Sequence, residues 1–272
     1  MYVLLGANGN IASRVARILL QQGKPVRVIG RNPAALAPLR ELGAELAIGD
    51  AQQVDFLAGA FAGASSVYAM IPPDYAAPDM RRSQTLFGTA IAAAIARSGV
   101  KRVLNLSSVG ADLASGTGPI AGLHEQEQRL NALPDLDLLH LRPGYFMENH
   151  LHAAGAVAAL GVYPSLERAD VPVPMIATAD IAAVVARELV DAPTRGVLHL
   201  HAPRHYSFAQ GRRSWAAPSG GPICSMCRPN WHRDWRQCAK RACPRTPPSA
   251  WPRWRAGSPA AHTRALCPAR WK

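Results

Sequence analysis

Apolar residues in this chain follow two spacings in turn, and the alternation runs from the first residues to about residue 200. Short continuous apolar runs at 2–5, 26–29, 46–48, 66–70, 102–106 and 136–141 have the length and flanks of strands covered on both faces. Between them, apolar positions three and four apart predict helices over 10–22, 33–42, 53–61, 79–98 and about 121–132. In the first helix Ile11, Val15, Ile18 and Leu19 recur on one side, Gly23 closes it, and Pro25 prevents continuation. Strand alternating with helix predicts an α/β fold, a doubly wound parallel sheet whose ligand binds outside the carboxyl ends of the strands. The loops at those ends are Gly6 to Asn10, Arg31, Asp50, Met70 to Pro73, Ser107 to Gly110 and Pro143 to Phe146. After Leu141 the pattern changes to a lid-like segment, 143–208, with a short helix at 179–190 and a strand at 197–200. The globular pattern stops near Tyr206, which leaves a small, incomplete C-terminal substrate lobe.

The first strand leads into Gly6-Ala7-Asn8-Gly9-Asn10-Ile11-Ala12. Gly6 permits a tight turn, Gly9 lets the backbone approach an anion, and the first-turn amides of the helix then point at it. A strand, a glycine turn, an amphipathic helix and a second strand in that order form the setting of a dinucleotide pyrophosphate site, whereas the turn alone is an ordinary β-to-α connection. The second strand ends in Gly30-Arg31-Asn32, and the first acidic residue of the chain is Glu41. With no carboxylate to accept from the ribose hydroxyls of NAD, Arg31 is the expected clamp for the 2′-phosphate of NADP. The alternative is a solvated Arg beside the helix-capping Asn32.

Composition divides the chain in two. Its 272 residues carry a formal charge of +12, yet residues 1–206 hold 17 basic and 17 acidic side chains. Residues 207–272 hold 13 Lys and Arg against Asp234 alone, together with all six Trp and all five Cys. Cys224, Cys227, His232, Cys238 and Cys243 have a spacing that admits zinc, and the interleaved Arg and Trp would suit nucleic acid. Nine prolines and few aliphatic residues argue against both. A GC-rich gene read in the wrong frame yields Arg, Pro, Cys, Trp and Ser in this way, so 209–272 is read as a frameshifted tail, expected to be disordered and to hold no metal, with nucleic-acid binding through its basic residues as the alternative function. Neither a secretory leader nor an apolar run of membrane-spanning length is present in the sequence, which gives a cytoplasmic expectation.

The glycine turn, Val28 to Asn32, Gly49-Asp50, Leu106 to Ala111, Leu141 to Asn149 and Met175 to Ala182 occur in an order that resembles the NmrA-like, atypical short-chain dehydrogenase/reductases of the NAD(P)-binding Rossmann type. The resemblance covers residues 1–208. It implies NADP(H) binding and places Asn8, Asn10, Ile11, Arg31, Asp50, Met70, Ile71, Ser107 and Tyr145 around the cofactor, beside the Gly6 and Gly9 turn. Typical members of the wider class use a Ser, a Tyr about a dozen residues on, and a Lys four beyond it. Counted from Ser108, these slots hold Ile120 and His124. Ile120 donates no proton, so His124 and Tyr145 are the candidate catalytic side chains, each also facing the cofactor. His124 is otherwise an exposed helix-start residue, and Tyr145 a core aromatic. Two functions follow from the resemblance: an NADPH-dependent oxidoreductase acting on a small conjugated acceptor such as a quinone, or an NADP-sensing regulator that binds a protein partner.

Overall fold

The computed structural model describes residues 1–154, 156, 163, 168–191 and 194–210. The zinc, nucleic-acid and reading-frame interpretations of the tail, and most of the Gly/Ala-rich stretch after Asn149, lie outside the described residues.

One compact unit comprises Met1–Pro143 and Thr178–Leu200. Its strands are β1 (Tyr2–Leu5), β2 (Val26–Gly30), β3 (Glu45–Ile48), β4 (Ser66–Ala69), β5 (Arg102–Leu106) and β6 (Asp137–Pro143). Helices α1 (Asn10–Gln21), α2 (Pro33–Glu41), α3 (Val54–Phe61), α4 (Met80–Ser98) and α5 (Ala121–Asn131) connect them, with a 3-10 turn at Gly118–Ile120. Helix α6 (Thr178–Val190) and the strand Gly196–Leu200 complete the unit. The sheet is parallel in every pairing, in the order Gly196–Leu200, β6, β5, β4, β1, β2, β3. Chain order reverses between β1 and β4, and the crevice beyond their carboxyl ends is where doubly wound sheets bind ligands.

The apolar runs become strands because both faces are covered. Val3, Leu5, Ile29, Val67, Ala69 and Val103 point to one face and join Leu57 and Phe61 of α3, Phe87, Ile91 and Ile95 of α4, and Leu130 of α5 in one cluster. On the opposite face Leu4, Val28, Tyr68 and Leu104 are buried, as are Val15 and Leu19 of α1 and Ile181 and Val185 of α6. Each such side chain contributes about 1.5–3 kcal/mol by leaving water, which holds the strand ends in fixed register. Helix boundaries follow the caps. Asn32 Oδ1 accepts from the Ala34 and Ala35 amides at 2.9 and 3.4 Å, and Asp79 Oδ1 from Arg82 at 2.9 Å, so α4 begins one residue after the expected position.

A second unit contains Gly144–Ala177 and the chain from His201. Here β7 (Tyr145–Phe146) pairs in parallel with β9 (Met175–Ile176), and β8 (Pro172–Val173) pairs antiparallel with Tyr206–Ser207. A 3-10 helix spans Met147–Ala153. Ala153, Tyr163, Met175 and Phe208 form its small core, flanked by Tyr145, Met147, Val173 and Tyr206.

Candidate functional site

The turn after β1 has the features of a phosphate cradle. Gly6 has φ +74, and a Cβ there would stand 2.8 Å from Met70 Sδ, so Met70 at the end of β4 covers the turn. The Gly9 amide donates to the Gly6 carbonyl at 2.9 Å, and a Cβ on Gly9 would lie 3.2 Å from that oxygen. Gly9 then caps α1 without a side chain, unlike Asn32 at α2 and Asp79 at α4, and no acidic residue lies in the first turn of α1. The first amides of α1 and the positive end of its dipole are left for an anion. Asn8, Gly9 and Asn10 are exposed beside them, whereas Ile11 is buried in the core.

Around this cradle stand the ends of the neighbouring strands. Arg31 follows β2, is exposed, and has no ion-pair partner among the described residues. Asp50, beyond β3, is half-buried and builds the turn into α3: its Oδ1 accepts from the Gln52 amide and its carbonyl from Gln53, each at 3.0 Å. Gly49 precedes it because a Cβ there would meet the Phe56 ring at 2.6 Å. Ile71 follows Met70 and is buried.

Beyond β5 the chain carries a polar network. The Ser107 amide donates to the Leu141 carbonyl at 2.7 Å, and its hydroxyl donates to Glu127 Oε1 at 2.5 Å. Arg142 grips the same carboxylate twice, Nε to Oε1 at 2.9 Å and Nη2 to Oε2 at 2.5 Å. Glu127 is 2% exposed. Burial alone would raise its pKa, but the hydrogen bonds from Arg142 and Ser107, with the nearby charges, hold it below the usual carboxylate range. His140 lies next to this group. Its Nδ1 accepts from the Asn105 side-chain Nδ2 and its Nε2 donates to Asn131 Oδ1, both at 3.1 Å, and burial lowers its pKa. The sequence reading missed Glu127 and Arg142. The available signal was a carboxylate at the helix position between Leu123 and Leu130, on the stripe expected to be apolar.

Ile120 closes the 3-10 turn, and its methyl carbons lie 4.0 Å from where a Cβ on Gly110 would stand. An aliphatic side chain therefore occupies the neighbourhood of the Ser107–Gly110 loop. His124 is half-buried, and its Nδ1 lies 2.8 Å from the Ala111 carbonyl. A carbonyl only accepts, so Nδ1 carries the hydrogen and Nε2 is the unprotonated nitrogen of the neutral ring.

The site residues above all belong to the first unit, while Tyr145 belongs to the second. It is half-buried, its ring 5.1 Å from Phe208 in an edge contact and 5.4 Å from His150. His150 is buried; its Nδ1 meets the Tyr163 hydroxyl and its Nε2 lies 3.4 Å from Met175 Sδ. Burial pushes the His150 pKa down to about 4.

Among the described residues no group of His, Cys, Asp and Glu is arranged to hold a metal ion, and no helix is long and apolar enough to cross a membrane. What the geometry fits is a dinucleotide: an uncapped helix start behind two glycines, with a guanidinium beyond the adjacent strand that is unpaired among the described residues. The NAD(P)H azoreductase of Xenophilus azovorans is 26% identical over 224 residues, covering 82% of this chain and 75% of the relative. A crystal structure of an NADPH-dependent quinone oxidoreductase from Escherichia coli, complexed with NADPH, superimposes with a TM-score of 0.68 at 24% identity, over 81% of this chain and 76% of that one. The triphenylmethane reductase of a Citrobacter species, complexed with NADP(H), gives 0.68 at 20% identity, over 82% and 78%. These two structures share the fold. The family described as NAD(P)H-binding matches residues 6–192, a span that runs from the glycine turn through α6 and takes in each strand end described above, and the chain belongs to that family.

Proposed function

We propose that this protein is an NADPH-dependent oxidoreductase of the NmrA-like branch, acting on a small conjugated acceptor such as a quinone or an azo compound. When bound, the cofactor supplies a hydride, two electrons with one hydrogen nucleus, and the reduced acceptor takes one further proton. Gly6, Gly9 and the first amides of α1 hold the pyrophosphate, Arg31 reads the 2′-phosphate, and Met70, Ile71 and Ser107 bound the remainder of the site.

The observation that carries the choice of acceptor is Ile120 beside Gly110, where the wider class has a phenol. Reduction of an isolated ketone needs a proton delivered to a developing alkoxide, and an aliphatic side chain supplies none. A conjugated acceptor delocalises the charge and takes its proton afterwards from solvent or from a weak donor. His124 suits the latter only as imidazolium, through Nε2, because its Nδ1 hydrogen is committed to Ala111. The names of the relatives, an azoreductase, a quinone oxidoreductase and a dye reductase, agree with acceptors of this kind.

NADPH consumption across a panel of quinones, azo dyes and simple ketones tests this reading. Turnover is expected with the conjugated acceptors and not with the ketones. Ketone reduction that survives both His124→Ala and Tyr145→Phe would refute the proton-source argument. The same Ile120 also favours a second reading, a cofactor-sensing regulator that binds a protein partner; NADPH binding without consumption on any acceptor would select it.

A further inference from the structure

Ser107 has one hydroxyl hydrogen, and the structure shows where it goes. A serine oxygen carries a single donor and two acceptor lone pairs. Glu127, ionised and gripped through two hydrogen bonds by Arg142, can only accept, so the 2.5 Å contact is Ser107 donating. The backbone is equally committed, since the Ser107 amide is bound to Leu141 across the β5–β6 ladder. Toward any ligand beyond β5, the Ser107 side chain therefore offers lone pairs and no proton.

We propose that Glu127 is a positioning residue for the cofactor: by taking the Ser107 proton it makes that oxygen a pure acceptor, which selects a donor group of the dinucleotide, a carboxamide N–H or a ribose O–H. This rests on the reading of Ser107 as a cofactor contact. It assigns Arg142 the task of keeping Glu127 charged and buried, and it removes Ser107 from the list of groups able to protonate the acceptor or stabilise an oxyanion. Charge-assisted acceptance also orients the oxygen, because a hydroxyl fixed by a carboxylate does not rotate freely.

Calorimetric titration of NADPH into the full chain tests the proposal, with folding of each variant checked by thermal melting. Ser107→Ala and Ser107→Cys should each weaken binding by about 3- to 10-fold, the loss of one hydrogen bond, whereas Ser107→Thr, which keeps the hydroxyl, should bind as wild type. A purely steric role would instead be preserved in the Cys variant, whose sulfur is a weak acceptor. The analogue with an acetyl group in place of the carboxamide separates the two donors. A wild-type loss on the analogue equal to the Ser107→Ala loss on NADPH identifies the carboxamide; an unchanged ratio of wild type to variant identifies a ribose hydroxyl. In a Glu127→Leu background, which offers the Ser107 hydrogen no acceptor, the penalty of Ser107→Ala should shrink. If that variant does not fold, Glu127→Leu with Arg142→Met removes the stranded cation and serves as the background. NADPH binding to wild type with no loss in Ser107→Ala, or an equal penalty with and without Glu127, overturns this inference alone. No NADPH binding by wild type overturns the proposed function with it.

Discussion

At the scale of single residues, the turn after β1 is built from backbone groups, with Gly6 at φ +74 and α1 beginning at Gly9 without a side-chain cap. The left-handed conformation of Gly6 is one that a side chain would strain. Arg31 is the residue expected to read the 2′-phosphate, and it is exposed and without an ion-pair partner among the described residues. Replacing Arg31 by Ala should weaken NADPH binding by about 1.5–3 kcal/mol through loss of charge-assisted hydrogen bonds. NADH binding should change little, and isothermal titration with both cofactors checks the difference. An equal loss for the two would show that Arg31 does not read the phosphate. Glu127 and Arg142 escaped notice because their pairing spans 15 residues and forms only when α5 lies against β6.

At the scale of elements, each helix of the first unit lies within about two residues of its expected bounds, and at α4 the difference traces to the Asp79 cap. The short strands of the second unit were not foreseen. Segments of two residues carry no periodicity, and β7, β8 and β9 exist through their partners alone. Gly144 shows how tightly they depend on one another. A Cβ there would stand 2.4 Å from the Pro174 carbonyl oxygen, the same oxygen that accepts from the Tyr145 amide at 2.8 Å. Gly144→Ala should therefore part β7 from β9 and raise amide exchange at Tyr145 and Ala202, whose donors are bound to Pro174 and Met175. Strand β1 should keep its protection, and hydrogen exchange read by mass spectrometry distinguishes the two. Ser207 and Gln210 lie at the end of the described residues. The Ser207 amide donates to Gln210 Oε1 at 2.9 Å and the Gln210 amide to Ser207 Oγ at 3.3 Å, the reciprocal pair of a capping box.

At the scale of the whole molecule, buried histidines make stability depend on pH in a stated direction. His150 is buried neutral with its pKa lowered to about 4, against about 6.5 in an unfolded chain. The unfolded state binds the proton more readily across that interval, so this stability is complete above pH 6.5 and is lost as pH falls toward 4. His140 shifts the same way, also by burial first. Glu127, held low, adds a loss at more acid pH, below the ordinary carboxylate value. From pH 7 to pH 5 His150 alone should cost about 2 kcal/mol. Urea unfolding at the two values checks this, and His150→Gln, which does not titrate, should narrow the difference between them. A variant with an undiminished difference would place the acid sensitivity elsewhere.

The sequence by itself determined the elements of the doubly wound sheet, because the apolar spacing of β1 to β6 and α1 to α5 is a local property that each segment carries alone, whereas the strand order is set by which strands pair. It determined the glycine turn before α1 for the same reason, since Gly6 to Ile11 are contiguous. Only the tertiary structure decided what the polar side chains do. That Ser107 donates inward to Glu127, that His124 spends its Nδ1 hydrogen on Ala111, and that Tyr145 shares a cluster with His150 and Phe208 each depend on residues distant in the chain. A hydrogen bond has a direction and a partner, and neither is encoded in the residue that makes it.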